Sequence, residues 1–449
     1  MEHIVIIGNG IAGVTAARHI RKGSRHRISI ISSESEHFFS RTALMYVYMG
    51  HMPFEDTKPY GDHFWKKNRI ELVHAHVAGV DPLERKVRFQ GGGALAFDRL
   101  ILACGSQPNT LGCPGEELQG VQGLYFKQDL ELLERNAKDR TTCKRAVIVG
   151  GGLIGIELAE MLRSRDIPVT FLVRETSFWN SVLPEGESAM VGEHIREHHI
   201  DLRLNATLKE IRSDGQGRAR SVVLAETGEE IACDLVGLAV GVSPNIEFLR
   251  DSGIALDRGV LVDQFLETNC PGVYAIGDCA QLKEPPPGRR PIEAVWYTGR
   301  IMGETLARTL CGQPSAYSPG PWFNSAKFLD IEYQTYGRVL PQQRKGNSEV
   351  HFHWRHPRKK LCVTLAFDGQ SQRFLGINAL GLRLRHGTVE GWLRGNLSID
   401  QVMETLADAN FDPEFHKKYE GAILDKYNMD FNKALGRKKK DHRPMFQWG

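Results

Sequence analysis

Apolar positions along the chain fall into two patterns. The first is the short unbroken run: Ile4 to Ile7, Leu100 to Ala103, Ala146 to Val149, Val169 to Val173 and residues 235–240, interrupted in the last only by Gly237. Runs of this length suit strands buried on both faces of a parallel sheet. The second is helical spacing. Ile11, Val14, Ala17 and Ile20 predict a helix over residues 11–21, and Ile156, Leu158, Ala159 and Leu162 predict another. Strand, glycine turn and helix therefore follow one another twice. Residues 27–31 and 169–173 supply the next strand in each case.

The turns carry the chemistry. Gly8, Gly10 and Gly13 have the spacing G-x-G-x-x-G between a strand and a helix, and Gly150, Gly152 and Gly155 repeat it. The first glycine permits the tight turn, the second lets a pyrophosphate approach the backbone, and the third lets helix pack on strand. The helix N-terminus then offers free N–H groups to a phosphate. Two such units mean two dinucleotide sites. Glu34, 21 residues past Gly13, is placed to bond a ribose hydroxyl. Arg41 is placed to reach a pyrophosphate. At the second site Val173 holds the strand end and Arg174 follows it, which leans towards NADPH or dual use; Glu175 keeps NADH open.

Composition adds boundaries. The chain has 449 residues, 41% hydrophobic and 25% charged, which suits two or three globular domains. No apolar run reaches membrane-spanning length, and the N-terminus enters a strand at once, so neither a span nor a signal peptide is expected. Eight scattered cysteines without C-x-x-C argue against a disulfide framework or zinc site and for the cytoplasm. The net charge is +3, yet residues 317–449 hold 21 Lys and Arg against 14 Asp and Glu. A basic C-terminal third fits an acidic partner; no nucleic acid is expected. His351 and His353 share a strand face near His356 and read as surface histidines, so no metal site is assigned. Residues 285–291 read as an exposed proline-rich loop, residues 398–427 as helical, and Arg437 to Lys440 as a solvated tail.

One further segment, Tyr274-Ala-Ile-Gly-Asp-Cys-Ala280, reads as a buried strand delivering Asp278 to the mouth of a helix. Together with Gly8-Asn-Gly-Ile-Ala-Gly13, Ala103-Cys-Gly-Ser-Gln-Pro108, Gly150-Gly-Gly-Leu-Ile-Gly-Ile-Glu157 and Val240-Gly-Val-Ser-Pro-Asn245, it resembles the pyridine nucleotide–disulfide oxidoreductase superfamily. The similarity is to its cysteine-free branch, the ferredoxin and rubredoxin reductases and the flavin portion of nitrite reductases. Ala43 stands at the position of the single redox cysteine of other branches, and no cysteine precedes Cys104.

The resemblance implies an α/β fold: two Rossmann-like domains, for FAD (residues 1–111 and 240–316) and NAD(P)H (residues 112–239), with an α+β C-terminal domain (residues 317–449). It implies that Asp278 bonds the flavin ribityl chain, that Glu157 lies beside the nicotinamide, and that Trp296 belongs to a helix beside the isoalloxazine; a core tryptophan is the competing reading. No side chain is assigned as catalytic, the flavin being the redox centre, and Cys279 is read as structural. The implied activity is electron transfer from NAD(P)H through FAD to a small iron–sulfur protein or rubredoxin. An NAD(P)H oxidase, a small-molecule reductase and an NADH-binding sensor of the apoptosis-inducing-factor type are the alternatives, and a homodimer is compatible with all of them.

Overall fold

The first apolar run becomes the strand His3–Ile7, the centre of a five-stranded parallel sheet. In the computed structural model, which describes residues 1–342, 348–412 and 417–437, that sheet runs Val273–Ala275, Arg99–Leu102, His3–Ile7, Arg27–Ser32, Ile70–His74. The run Ala146–Val149 centres a second five-stranded parallel sheet: Asp201–Leu204, Val169–Val173, Ala146–Val149, Leu235–Leu238, Val121–Gln122. Helices Ile11–Gly23 and Leu153–Arg163 follow the two central strands. Burial on both faces explains the unbroken apolar runs. Ile4, Ile6, Val147 and Ile148 are all fully buried.

The helix Trp296–Leu310 covers the first glycine helix through Gly299 and Gly303. A Cβ on Gly303 would lie 2.6 Å from the Ala12 carbonyl oxygen, so only glycine allows this approach. Two segments with similar sequences, Ser106–Pro108 and Val242–Pro244, pair with each other as an antiparallel ribbon, Ser243 opposite Gln107. Both nucleotide folds belong to one compact unit, Met1–Phe178 with Ile195–Pro319.

The second unit contains Trp179–His194 together with the chain from Gly320 onward. Its five-stranded antiparallel sheet has the order Phe323–Phe328, Ile331–Gly337, Phe374–Leu380, Cys362–Asp368, Glu349–Arg355. One face is apolar: Phe352, Trp354, Val363, Leu365 and Ile377 join a core with Val389, Trp392 and Tyr427 of the helices His386–Arg394 and Glu420–Phe431. The alternate positions are mixed, with His351, His353, Thr364 and Asn378 set among Cys362, Ala366 and Leu380, and polar groups in such alternation ordinarily mark a solvated face. Here the segment 179–194 packs on them. Trp179 lies edge-on to Phe328 and Tyr333, and Glu187 accepts a hydrogen bond from Asn378 at 2.9 Å.

This corrects several expectations. His351 and His353 are not surface histidines: His351 pairs with Glu349, and His353 bonds Thr364 at 2.9 Å beneath the covering segment. Residues 398–427 are not one helix. Helix Ile399–Glu404 ends where the Thr405 hydroxyl donates to the Gln401 carbonyl at 2.7 Å, and a 3-10 turn, Leu406–Ala409, follows. The proline-rich loop is exposed at Pro287, Gly288 and Arg290, as expected, and is in addition anchored by the side chains of Arg289 and Glu293, buried against each other. Asp278 lies in a 3-10 turn, Gly277–Cys279, that leads into a strand, Ala280–Leu282, and not into a helix. Lys438 to Lys440 lie outside the described residues. Among the described residues no helix is long and apolar enough to cross a membrane.

Glu187 sets a pH dependence. It is fully buried, one carboxylate oxygen has no hydrogen-bond partner among the described residues, and burial pushes its carboxyl from an ordinary 4.5 up to about 7, against the pull of Thr364 and Asn378. The folded state keeps a proton that the unfolded chain releases. The stability this contributes is therefore complete below about 4.5 and lost as pH rises through about 7. Unfolding followed between pH 4.5 and 8 should show a loss of roughly 3 kcal/mol from this group. Glu187→Gln should remove that component of the slope; an unchanged slope would show that Glu187 does not carry the proton.

Candidate functional site

The two glycine turns have the same construction. The Gly8 amide donates to Ile31 at 2.8 Å, the Ala103 amide to Ile7 at 2.8 Å and the Val14 amide to Gly10 at 3.0 Å. In the second turn Gly150 donates to Leu172, Ala239 to Val149 and Ile156 to Gly152. Gly8 and Gly150 have φ of 113° and 114°. A Cβ on Gly8 would fall 2.0 Å from the Ala103 carbonyl oxygen, and on Gly150 2.3 Å from that of Ala239. Gly13 and Gly155 press on the carbonyls of Gly8 and Gly150 at 2.2 and 2.3 Å by the same measure. Gly10 and Gly152 differ: a Cβ on either would meet nothing within 4 Å. Each middle glycine therefore faces open space at a helix N-terminus whose first turn holds no acidic residue. Those are the requirements of a pyrophosphate cradle.

Around the first cradle, residues distant in sequence converge. Asn9 is buried and its side-chain amide donates to the Ser35 carbonyl at 2.9 Å, fixing the loop that carries Glu34. Glu34 and Arg41 form a two-point ion pair, Nη1 to Oε1 at 2.9 Å and Nη2 to Oε2 at 2.6 Å. Glu34 Oε1 also accepts the Lys127 amide at 2.9 Å. Arg41 donates to the Tyr125 carbonyl and lies over the Tyr125 ring, 4.5 Å from its centroid. Ser106 donates to Asp278 Oδ2 at 3.1 Å. Burial pushes the Asp278 carboxyl above the usual aspartate range, while Ser106 and Arg41 pull it down. The sequence singled out Glu34, Arg41 and Asp278 but not Tyr125, which lies in a stretch with no motif; only the fold brings it beneath Arg41.

Around the second cradle the groups are sparser. Glu157 is half-buried in the helix Leu153–Arg163. Arg174 is exposed, and its Nε lies 2.7 Å from Glu175 Oε1. A Cβ on Gly151 would lie 2.8 Å from the Val173 side chain, which closes that side of the turn. Trp296 begins its helix with 38% of its surface exposed, against the reading of a core tryptophan. Cys279 is fully buried. Ala43 ends the short turn Arg41–Ala43.

Comparison with known proteins gives the same picture. The family described as pyridine nucleotide-disulphide oxidoreductase matches residues 2–302. The ferredoxin–NAD(+) reductase component of a biphenyl dioxygenase system from Paraburkholderia xenovorans is 31% identical over 70% of this chain and 76% of its own length. A CoA-dependent NAD(P)H sulfur oxidoreductase from Pyrococcus abyssi is 27% identical over 94% of this chain and 96% of its own. Among solved structures, a ferredoxin reductase from Rhodopseudomonas palustris superposes with a TM-score of 0.80 at 23% identity, covering 95% of this chain and 100% of that one. Both glycine cradles, the Ser106–Asp278 pair and the start of the covering helix lie inside the matched span, and the chain belongs to the pyridine nucleotide-disulphide oxidoreductase family.

Proposed function

We propose that this protein is an FAD-dependent oxidoreductase that passes electrons from NAD(P)H to a small iron–sulfur protein or rubredoxin. The observation that carries the reading is the pair of matching cradles, each with an open middle glycine. The likeness to a ferredoxin–NAD(+) reductase supports the acceptor class, and the excess of Lys and Arg beyond residue 316 suits an acidic partner. Bound FAD supplies the chemistry of accepting a hydride and releasing electrons.

The chain's own groups bind and orient. The amides at Gly10 and the helix behind them take the FAD pyrophosphate, and those at Gly152 take that of the nicotinamide coenzyme. Arg41, held by Glu34 and supported on Tyr125, adds a guanidinium to the first anion. The second lone pair of Glu34 Oε2 stays available to a ribose hydroxyl. Asp278, oriented by Ser106, accepts from the ribityl chain. Glu157, on the helix Leu153–Arg163, would lie beside the nicotinamide, and Trp296 would border the flavin ring system. Ala43 provides no thiol, so no covalent sulfur intermediate is assigned even though a sulfur oxidoreductase is among the relatives. The eight free, scattered thiols fit a reducing cytoplasm.

Gly10 offers a clean test. Its φ of −72° suits alanine and its Cβ would strike no protein atom. Gly10→Ala should keep the thermal stability of the FAD-free protein and weaken FAD binding by about tenfold or more, about 1.4 kcal/mol. Gly152→Ala should retain FAD and raise KM for NAD(P)H. Full FAD affinity in Gly10→Ala would overturn the cradle assignment.

The coenzyme is read by Arg174 and Glu175 together. Their exposed ion pair is worth at most about 1 kcal/mol, less than a guanidinium–phosphate bond at roughly 1.5–3 kcal/mol, while the Glu175 charge opposes the same phosphate. The site accepts either coenzyme. Arg174→Ala should lower kcat/KM for NADPH about tenfold and spare NADH; Glu175→Ala should raise it for NADPH. An unchanged NADPH-to-NADH ratio in both variants would move specificity elsewhere.

A further inference from the structure

The helix that carries the second cradle is anchored at its far end. Leu153–Arg163 starts after Gly152, and the turn that closes it holds Arg165. There the Ser164 amide donates to the Glu160 carbonyl at 2.9 Å, the Ile167 amide donates to the Leu162 carbonyl at 3.1 Å, and Asp166 has a φ of 59°. These are the bonds of a helix end closed by a left-handed residue, so Arg165 moves with the helix. A guanidinium has five N–H donors, and Arg165 uses all of them. Nε donates to the Tyr48 carbonyl at 3.1 Å, and Nη2 donates to the same oxygen. Nη1 and Nη2 meet the Glu134 carboxylate at 2.8 and 2.6 Å, and Nη1 also reaches the Lys138 carbonyl at 3.0 Å. The guanidinium carbon lies over the Tyr48 ring, 3.5 Å from its centroid.

These partners lead back to the first cradle by two routes. Tyr48 ends the short helix Leu44–Tyr48, which continues the turn Arg41–Ala43. Its ring is buried, and its hydroxyl donates to the Ala137 carbonyl. Glu134 belongs to the helix Lys127–Asn136, whose first amide donates to Glu34 at 2.9 Å. The helix Leu153–Arg163 has 11 residues. At 1.5 Å per residue it is about 16 Å long, so a tilt of about 4° at the Arg165 end moves the Gly152 end by about 1 Å. A misplacement of about 1 Å between reacting groups is worth about a hundredfold in rate.

We propose that Arg165 is a positioning residue for electron transfer: it sets the angle of the coenzyme helix against the flavin fold, and so the alignment of nicotinamide and flavin. The proposal rests on the FAD and NAD(P)H assignments above. A planar fork bonded at five points and stacked on a ring resists rotation as well as separation, which a single amine does not. Arg165 touches neither cradle, so it acts only through the helix it closes. Its loss therefore leaves each cradle intact and disturbs how the two are aimed at each other.

The test compares FAD-loaded full-length wild type with Arg165→Met, Arg165→Lys and Glu134→Gln. Retained flavin, Tm, the Kd for NAD+ and the rate of flavin reduction by saturating NADH in one anaerobic turnover are measured. A further readout needs no turnover: the long-wavelength absorbance of dithionite-reduced protein mixed with saturating NAD+, which reports stacking of the two rings. In Arg165→Met the flavin should stay bound and the Kd should hold within about twofold, while the rate falls about tenfold to a hundredfold and the absorbance weakens. Arg165→Lys keeps the charge without the fork and should fall between. Glu134→Gln should lower the rate by a smaller factor. An unchanged rate and absorbance in Arg165→Met would overturn the proposal. So would a rate that falls only in step with lost flavin or a lower Tm, the mark of an arginine that merely holds the fold. If Arg165→Met does not fold, wild-type rates in both Arg165→Lys and Glu134→Gln overturn it. Wild-type protein that takes up no FAD would instead overturn the flavin assignment, and this proposal with it.

Discussion

Backbone lies directly against backbone at Gly8, and much of the first nucleotide fold depends on that contact. The missing Cβ would stand 2.0 Å from the Ala103 carbonyl, a separation no side-chain atom tolerates. Any other residue would force apart the strands His3–Ile7 and Arg99–Leu102, which meet in register from Ile4 to Ile7. Fully buried Ile4, Val5, Leu100 and Ile101 sit in that register, so the hydrophobic gain of the core requires the close approach. The approach in turn aims the helix Ile11–Gly23 so that its N-terminus faces open space. Gly150 and Ala239 repeat the arrangement. The chain thus solves one steric problem twice and leaves a helix N-terminus facing open space each time.

The C-terminal sheet meets a different constraint. Its second face carries the buried Thr364 and Asn378 and the half-buried His353, and the covering segment sets the buried Glu187 against them. Burying polar groups costs free energy unless they are paired, and here most are: His353 to Thr364, Asn378 to Glu187 and to the Tyr333 hydroxyl. A Cβ on Gly186 would lie 2.7 Å from His353 Nε2, so the covering segment approaches as closely as its chemistry allows. Such a network specifies one docking register for the segment 179–194, which an apolar face would not.

Legibility followed sequence locality. Gly8, Gly10 and Gly13 act within six residues, and the turn, the helix and the open site all follow from their spacing. The same holds for Gly150, Gly152 and Gly155. Glu34 and Arg41 were legible as candidates, but not as partners of each other, because their ion pair depends on how the loop between them folds. Tyr125 was invisible: nothing near it in sequence marks it, and its position comes from tertiary packing. His351 and His353 were misread for a related reason. Their alternation with Phe352 and Trp354 reports two faces correctly, yet cannot say that a segment more than 150 residues earlier covers the polar one. Asp278 was placed at the end of the right strand with the wrong continuation, since one 3-10 turn leaves too short a signature to separate from a helix start.

The ribbon formed by Ser106–Pro108 and Val242–Pro244 has a mechanical meaning. These are the two places where the chain leaves the first nucleotide fold and returns to it, and they are bonded to each other. Hydrogen-bonded strands resist being pulled apart lengthwise but accept twist. The second fold is held to the first there and again where Arg165 donates to the Tyr48 carbonyl at 3.1 Å and the Lys127 amide to Glu34, so the ribbon is one of several fixed points and keeps the Ser106 end beside Asp278.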